Sequence, residues 1–281
     1  MACLGAFAIN VLAVLAPVAP VRAEVAPAQA AAELERVLMI PDLLAVMHKE
    51  GVAYGDQVAD QFFEGPPDSG WRADVGRIYD PARLGPAFHA AFAEELARTG
   101  ADTTPMLDYF RLPLGQRILT LELSARAAMA DEAIEEEAKV ALDRLDAEGD
   151  PRLTMIRAYV SANHLVDMNV SGALNANLAF LTALAQSGGF QRQLPEDEIL
   201  AQVWSQEDEV RAETERWLLS LSLLAYSPLS DAELASYIAF SETPAGAALN
   251  RALFAAYDRM FTDISRELGR SAGRRMGGTS L

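Results

Sequence analysis

The chain has 281 residues, of which 51% are hydrophobic, enough to bury a sizeable core and too apolar for disorder to be the default reading. Its 40 acidic side chains against 23 basic ones leave a net charge of -17, which weighs against sequence-independent binding to nucleic-acid phosphates or to anionic lipid surfaces. Nucleic acid is therefore not an expected partner.

From Cys3 to Leu15 the chain is apolar apart from Asn10. Helix-breaking Pro17 and Pro20 follow, and then Val21-Arg22-Ala23, a small-x-small cleavage signature. This reads as a secretory signal peptide over residues 1–23, cut after Ala23, although its first residues lack the usual Lys or Arg. The prolines interrupt the apolar stretch too early for a spanning helix of ~20 residues, so no transmembrane segment is expected in the mature chain. Cleavage would remove Cys3, the single cysteine, and with it any disulfide, thiolate metal site or cysteine nucleophile.

Beyond residue 24, Ala-, Leu- and Glu-rich segments carry apolar residues at spacings of three and four, the signature of amphipathic helices. Breakers at Pro41, Gly65-Pro66-Pro67-Asp68, Pro81, Gly100, Gly149-Asp150-Pro151, Gly188-Gly189, Pro195 and Pro228 divide them. The expectation is an all-α protein of about eight to ten helices with little or no sheet.

Three histidines are candidates for chemistry. His89 sits between Phe88 and Phe92 on an apolar helix and reads as packing. His48 and His164 could share a metal or a proton, and His164 with Asp167 could contribute two ligands from one helix face, but neither histidine has a second ligand of the right kind and a structural histidine is the simpler reading. The run from Asp131 to Glu137 places like charges at i,i+4; one continuous helix cannot wrap carboxylates around an ion, so a solvated face is expected. Between 161 and 177, Ser161, Asn163, His164, Asn169, Ser171, Asn175 and Asn177 give a helical segment a polar texture suited to a small-molecule pocket. It is the best place the sequence offers for one.

Further on, Ser230-Asp231-Ala232-Glu233 is a capping box. Thr243-Pro244-Ala245-Gly246 supplies an N-cap, a proline at the first helical position and a glycine that admits another backbone. The last helix then carries Leu249, Leu253, Phe254, Tyr257, Met260, Phe261, Ile264 and Leu268 on one face, which reads as core. Arg266, Arg270, Arg274 and Arg275 are basic on an acidic protein, and residues 276–281 read as a disordered tail.

The two sides of Gly149-Asp150-Pro151 resemble one another. Met39-Ile40 with His48 recurs as Met155-Ile156 with His164, and Tyr109 to Gly115 recurs as Phe240 to Gly246, with Met129 and Met260 in the same register. The second offset is larger by about fifteen residues, which the Gly188 to Glu207 region would absorb. The reading is a helical unit over 24–150 and a similar one over 151–275, packed as a bundle or short α-solenoid.

Glu233-Leu234, an aromatic, then Thr243-Pro244-x-Gly246 resembles the bacterial exported helical family called domain of unknown function 2059, whose pattern runs Glu-Leu, Phe-Tyr, Ser-Pro-x-Gly. Here Ser241 replaces the Tyr and Thr243 the Ser, over about residues 205–270. The resemblance implies an α-helical fold and a periplasmic location, and supplies no catalytic residues. No phosphate loop, nucleophile elbow or metal motif is present, so no catalytic, metal or cofactor residue is assigned and the binding residues stay unspecified. The leading expectation is a non-enzymatic envelope interaction or structural protein. Its rival is a small-molecule or lipid carrier, its site lying between the two units and lined by the aromatic stripe and the Asn-rich helix.

Overall fold

A computed structural model describes residues 27–190 and 195–278; the segment 1–23, read from sequence as a signal peptide, lies outside the described residues. The protein is all-α, with thirteen helices and no strand among the described residues. No described helix is long and apolar enough to cross a membrane.

The first six helices are α1 (Pro27–Val37), α2 (Ile40–Phe62), α3 (Ser69–Ile78), α4 (Pro81–Thr99), α5 (Thr104–Phe110) and α6 (Pro113–Ala128). After α7 (Glu132–Glu148) comes a second six: α8 (Pro151–Ala162), α9 (Leu165–Gln186), α10 (Glu196–Trp204), α11 (Glu207–Tyr226), α12 (Asp231–Ser241) and α13 (Pro244–Gly278). Local chemistry explains most of the boundaries. Asp68, Asp80, Asp131 and Asp150 each accept a hydrogen bond from a first-turn backbone N–H, and Ser230 and Glu233 form the capping box. At the other ends, Gly100 and Gly149 adopt left-handed conformations in which the glycine's own amide and the next one return to the closing carbonyls, the Schellman arrangement.

Thirteen helices exceed the eight to ten expected, partly because joints such as those at residues 129–131, 163–164 and 205–206 contain no proline or glycine. Met39, between α1 and α2, has φ 57°, and His164, between α8 and α9, has φ 51°; they are the only non-glycine residues with positive φ among those described. A left-handed non-glycine residue costs about 1 kcal/mol, so packing around each joint must supply the difference.

These joints set the register between the halves. Met39 answers to His164, so the pairing of Met39 with Met155 is displaced: Met155 and Ile156 lie within α8, and His48 and His164 are not equivalents. The later match holds, because Gly115 and Gly246 do the same job. A Cβ on either would overlap a backbone carbonyl oxygen, Tyr109 O for Gly115 and Phe240 O for Gly246. The extra residues of the second half fall chiefly in α12, of 11 residues against the 7 of α5, rather than between Gly188 and Glu207.

Packing repeats too. α1 lies on α4 as α8 lies on α11, and α2 packs on α3 and α4 as α9 packs on α10 and α11. The closing helices are exchanged: α13 packs on α4 of the first half, and α6 on α11 of the second. Tyr109 and its counterpart Phe240 stack on each other, 4.1 Å between centroids and 11° between planes, as equivalent groups do beside an approximate twofold axis. The halves therefore interlock instead of lying side by side, and one core runs from Ala31 to Ala272 through both.

The C-terminus is also ordered further than the tail reading allowed. α13 continues through Gly278, so residues 276–278 are helical, while 279–281 lie outside the described residues. Gly269 and Gly273 let α13 press against the carbonyls of Phe180 and Leu184 on α9. Arg275 lies 3.1 Å from Asp74 and its guanidinium 5.5 Å from the Trp71 ring centroid, which fastens the helix end to α3.

Candidate ligand-binding cavity

A half-open chamber of about 560 Å³ lies between the interlocked halves. Equivalent residues of the two halves face it in pairs, Leu38 with Asn163, Ile40 with Leu165 and Leu43 with Met168, so it sits on the approximate dyad. Leu249, Leu253, Phe254, Tyr257 and Phe261 of the α13 stripe form one wall. The stripe read as core thus divides: Met260, Ile264 and Leu268 are fully buried, whereas Leu253, Phe254, Tyr257 and Phe261 are half-buried and border the chamber. Met168 and Ala173 on α9, both exposed, mark its solvent edge.

Against this apolar lining stands one polar cluster. Glu122, in the third turn of α6, lies deep among protein atoms, and solvent reaches it through the chamber that it lines. Its Oε1 accepts hydrogen bonds from the hydroxyls of Tyr226, at 2.6 Å, and Tyr237, at 3.1 Å. Burial pushes the Glu122 carboxyl above its usual range, and the two tyrosine donors only partly oppose that. Burial, and next the carboxylate itself, push both phenols well up, so they remain donors. Tyr159 packs against both rings from α8.

The turn that carries Tyr226 and Tyr237 is clamped from outside. Arg152 donates to the carbonyls of Tyr226 and Leu229, at 2.6 and 2.7 Å, and Arg117 donates to Pro228 O at 2.6 Å. One turn beyond Glu122, Arg126 also lines the chamber, but its guanidinium is engaged by Glu50 of α2 through Nη2 at 2.8 Å and Nε at 3.0 Å. Asp258 on the α13 wall accepts from Asn175 at 2.9 Å.

The residues singled out from sequence divide accordingly. Asn163 and Asn169 line the chamber and spend their amide N–H groups on the carbonyls of Tyr159 and Leu165. Asn175 and Asn177 bond Asp258 and Gln206 instead. Ser161, Ser171 and His164 are exposed and do not line it. His48 lies 3.1 Å from the carbonyl oxygen of Tyr79, and His89 pairs with Glu35 at 2.8 Å. Asp167 pairs with Arg211 at 2.6 Å. Asp131 caps α7, and Glu135 pairs with Lys139. Among the described residues no cluster of His, Cys, Asp and Glu has the makings of a metal site.

Sequence reading missed the cluster. Glu122 stands alone in Ile118-Leu119-Thr120-Leu121-Glu122-Leu123, and a solitary carboxylate in an apolar helical run was the available signal. Nothing local linked it to Tyr226 and Tyr237, which are more than a hundred residues away. A scan of the chain against protein-family models finds no match, and searches of curated proteins and of solved structures find none either.

Proposed function

We propose that the protein is a carrier of a small, largely apolar molecule, held in the chamber between its halves. One observation carries this reading. A cavity of about 560 Å³ falls within the ~300–1,000 Å³ of ligand sites, and it joins an apolar wall to a small, fixed set of polar groups. This places the carrier ahead of the envelope interaction or structural protein that sequence favoured. The same role suits an exported chain: the signal peptide read over 1–23 and the resemblance to the exported domain of unknown function 2059 would put it where apolar molecules must cross an aqueous space.

The expected affinity is modest. A ligand of ~20 non-hydrogen atoms gaining ~0.3 kcal/mol each reaches ~6 kcal/mol, a Kd of tens of micromolar. The test is titration of the purified protein with a neutral, environment-sensitive hydrophobic dye, repeated on Gly172→Leu. Gly172 lines the chamber, and a Cβ there meets only Asp258 Oδ1 at 3.8 Å, so the added side chain obstructs the cavity without disturbing the helix. Saturable binding that is lost in this variant is the expected result. Unsaturable binding, or binding that G172L leaves intact, would refute the carrier reading and return the envelope interaction protein to first place.

A further inference from the structure

The chamber's polar end is not neutral in its preferences. Of the three charged residues that line it, Arg126 is held in a two-pronged pair by Glu50, and Asp258 already receives the Asn175 amide. Glu122 is different. Its Oε1 carries both tyrosine hydrogen bonds, while its Oε2 accepts none from any described residue. A carboxylate lying deep among protein atoms, with one oxygen left to whatever the chamber admits, is costly to ionise, and a donor brought in by an occupant would offset that cost. Two carboxylates and one already neutralised guanidinium also make the lining net anionic, which repels carboxylate and phosphate head groups.

The opposite wall suits the remainder of such a molecule. Counted from Gly115 and Gly246, Leu253 stands at the position of Glu122, and Leu249, Phe254 and Phe261 extend the apolar surface from there. A head seated on Glu122 leaves its chain directed along that surface.

On the carrier reading, which this inference requires, we propose that the occupant is an apolar amine: a molecule with one cationic nitrogen that donates to Glu122 Oε2, and a hydrocarbon body against the α13 stripe. Tyr226 and Tyr237 act as positioning residues, fixing the carboxylate so that Oε2 is left for the ligand.

Three ligands of one chain length separate this from its alternatives: dodecylamine, dodecanol and dodecanoate, each titrated by calorimetry below its aggregation concentration. The wild-type protein is expected to bind the amine at least about tenfold more tightly than the alcohol, as one charge-assisted hydrogen bond allows, and the acid most weakly. Because the acidic surface attracts any amine, the decisive reading is Glu122→Gln, which should abolish the amine's advantage while alcohol binding persists. Retained alcohol binding also shows that the variant is folded. An amine preference surviving in E122Q, or dodecanoate binding as tightly as dodecylamine, would overturn the inference. Dodecanoate binding best and being lost in Arg126→Met would assign the head group to Arg126 and overturn it equally. If neither the three compounds nor the neutral dye binds, the carrier reading itself fails; if the alcohol binds without an amine preference, only the head-group assignment does.

Discussion

α6 and the first half of α13 enter the fold in the same way and end by doing different things. Both begin at Pro-x-Gly, with Gly115 and Gly246 held against the last carbonyls of the preceding helix, and both cross to the other half, α6 onto α11 and α13 onto α4. Yet Thr243 caps α13 through the Gly246 amide at 3.0 Å, whereas Leu112 offers α6 no acceptor. α6 stops at Ala128 after 16 residues, while α13 runs for 35 and packs along α9. Where α6 presents Glu122 and Arg126 to the chamber, α13 presents Leu253 and Tyr257. The same backbone entry therefore supports two chemistries. One copy supplies the polar end of the cavity and the other its apolar wall, a division that an unmodified symmetric site would lack.

The comparison breaks most severely at the extension that only α13 has. Gly269→Leu should destabilise the protein by ~3 kcal/mol or more in denaturant unfolding, because a Cβ there overlaps the Phe180 carbonyl oxygen and backbone cannot yield as a side chain does. A loss below ~1 kcal/mol would mean that α13 is not seated on α9 as described.

Next in size is the chemical difference itself. The folded state holds the Glu122 proton more tightly than the unfolded chain does. Its contribution to stability is therefore complete below the unfolded value of 4.5 and falls as pH rises through the raised folded value. Arg126, with its partner Glu50, and Asp258 are the charges nearby; Tyr159, Tyr226, Tyr237 and Tyr257 stay neutral across that range because burial raises each phenol. Glu122→Gln should accordingly raise the melting temperature near neutral pH, by a gain of about 1 kcal/mol, with the advantage vanishing in acid. Parallel melting curves for both proteins at every pH would contradict the account.

The caps give the smaller effects, of opposite sign. Thr243→Ala should cost ~1 kcal/mol, since it leaves the Gly246 amide without its partner. Leu112→Thr should stabilise α6 by ~0.5 kcal/mol, because Leu112 is 54% exposed and surrenders little packing for the acceptor that it gains. Chemical denaturation of the two single variants and the double variant sharpens the point by measuring how strongly the two caps couple across the Tyr109–Phe240 stack.

Sequence by itself determined the helical class, most helix starts and the later repeat register. Asp68, Asp80, Asp150, Ser230, Thr243 and the glycines at 100, 149 and 246 act within one or two turns of themselves, so their effect is written where they stand. Pro41 marks the start of α2 in the sequence, but tertiary structure alone decided the left-handed turns at Met39 and His164, since no local rule puts those side chains in that region and only surrounding contacts hold them there. It also decided that the stripe on α13 would be part core and part cavity wall, because helical periodicity marks an apolar face without saying what it meets. Glu122 is the clearest case. Its neighbours in the chain are apolar, its partners come from α11 and α12, and its meaning arises only where the exchanged helices leave space between the halves.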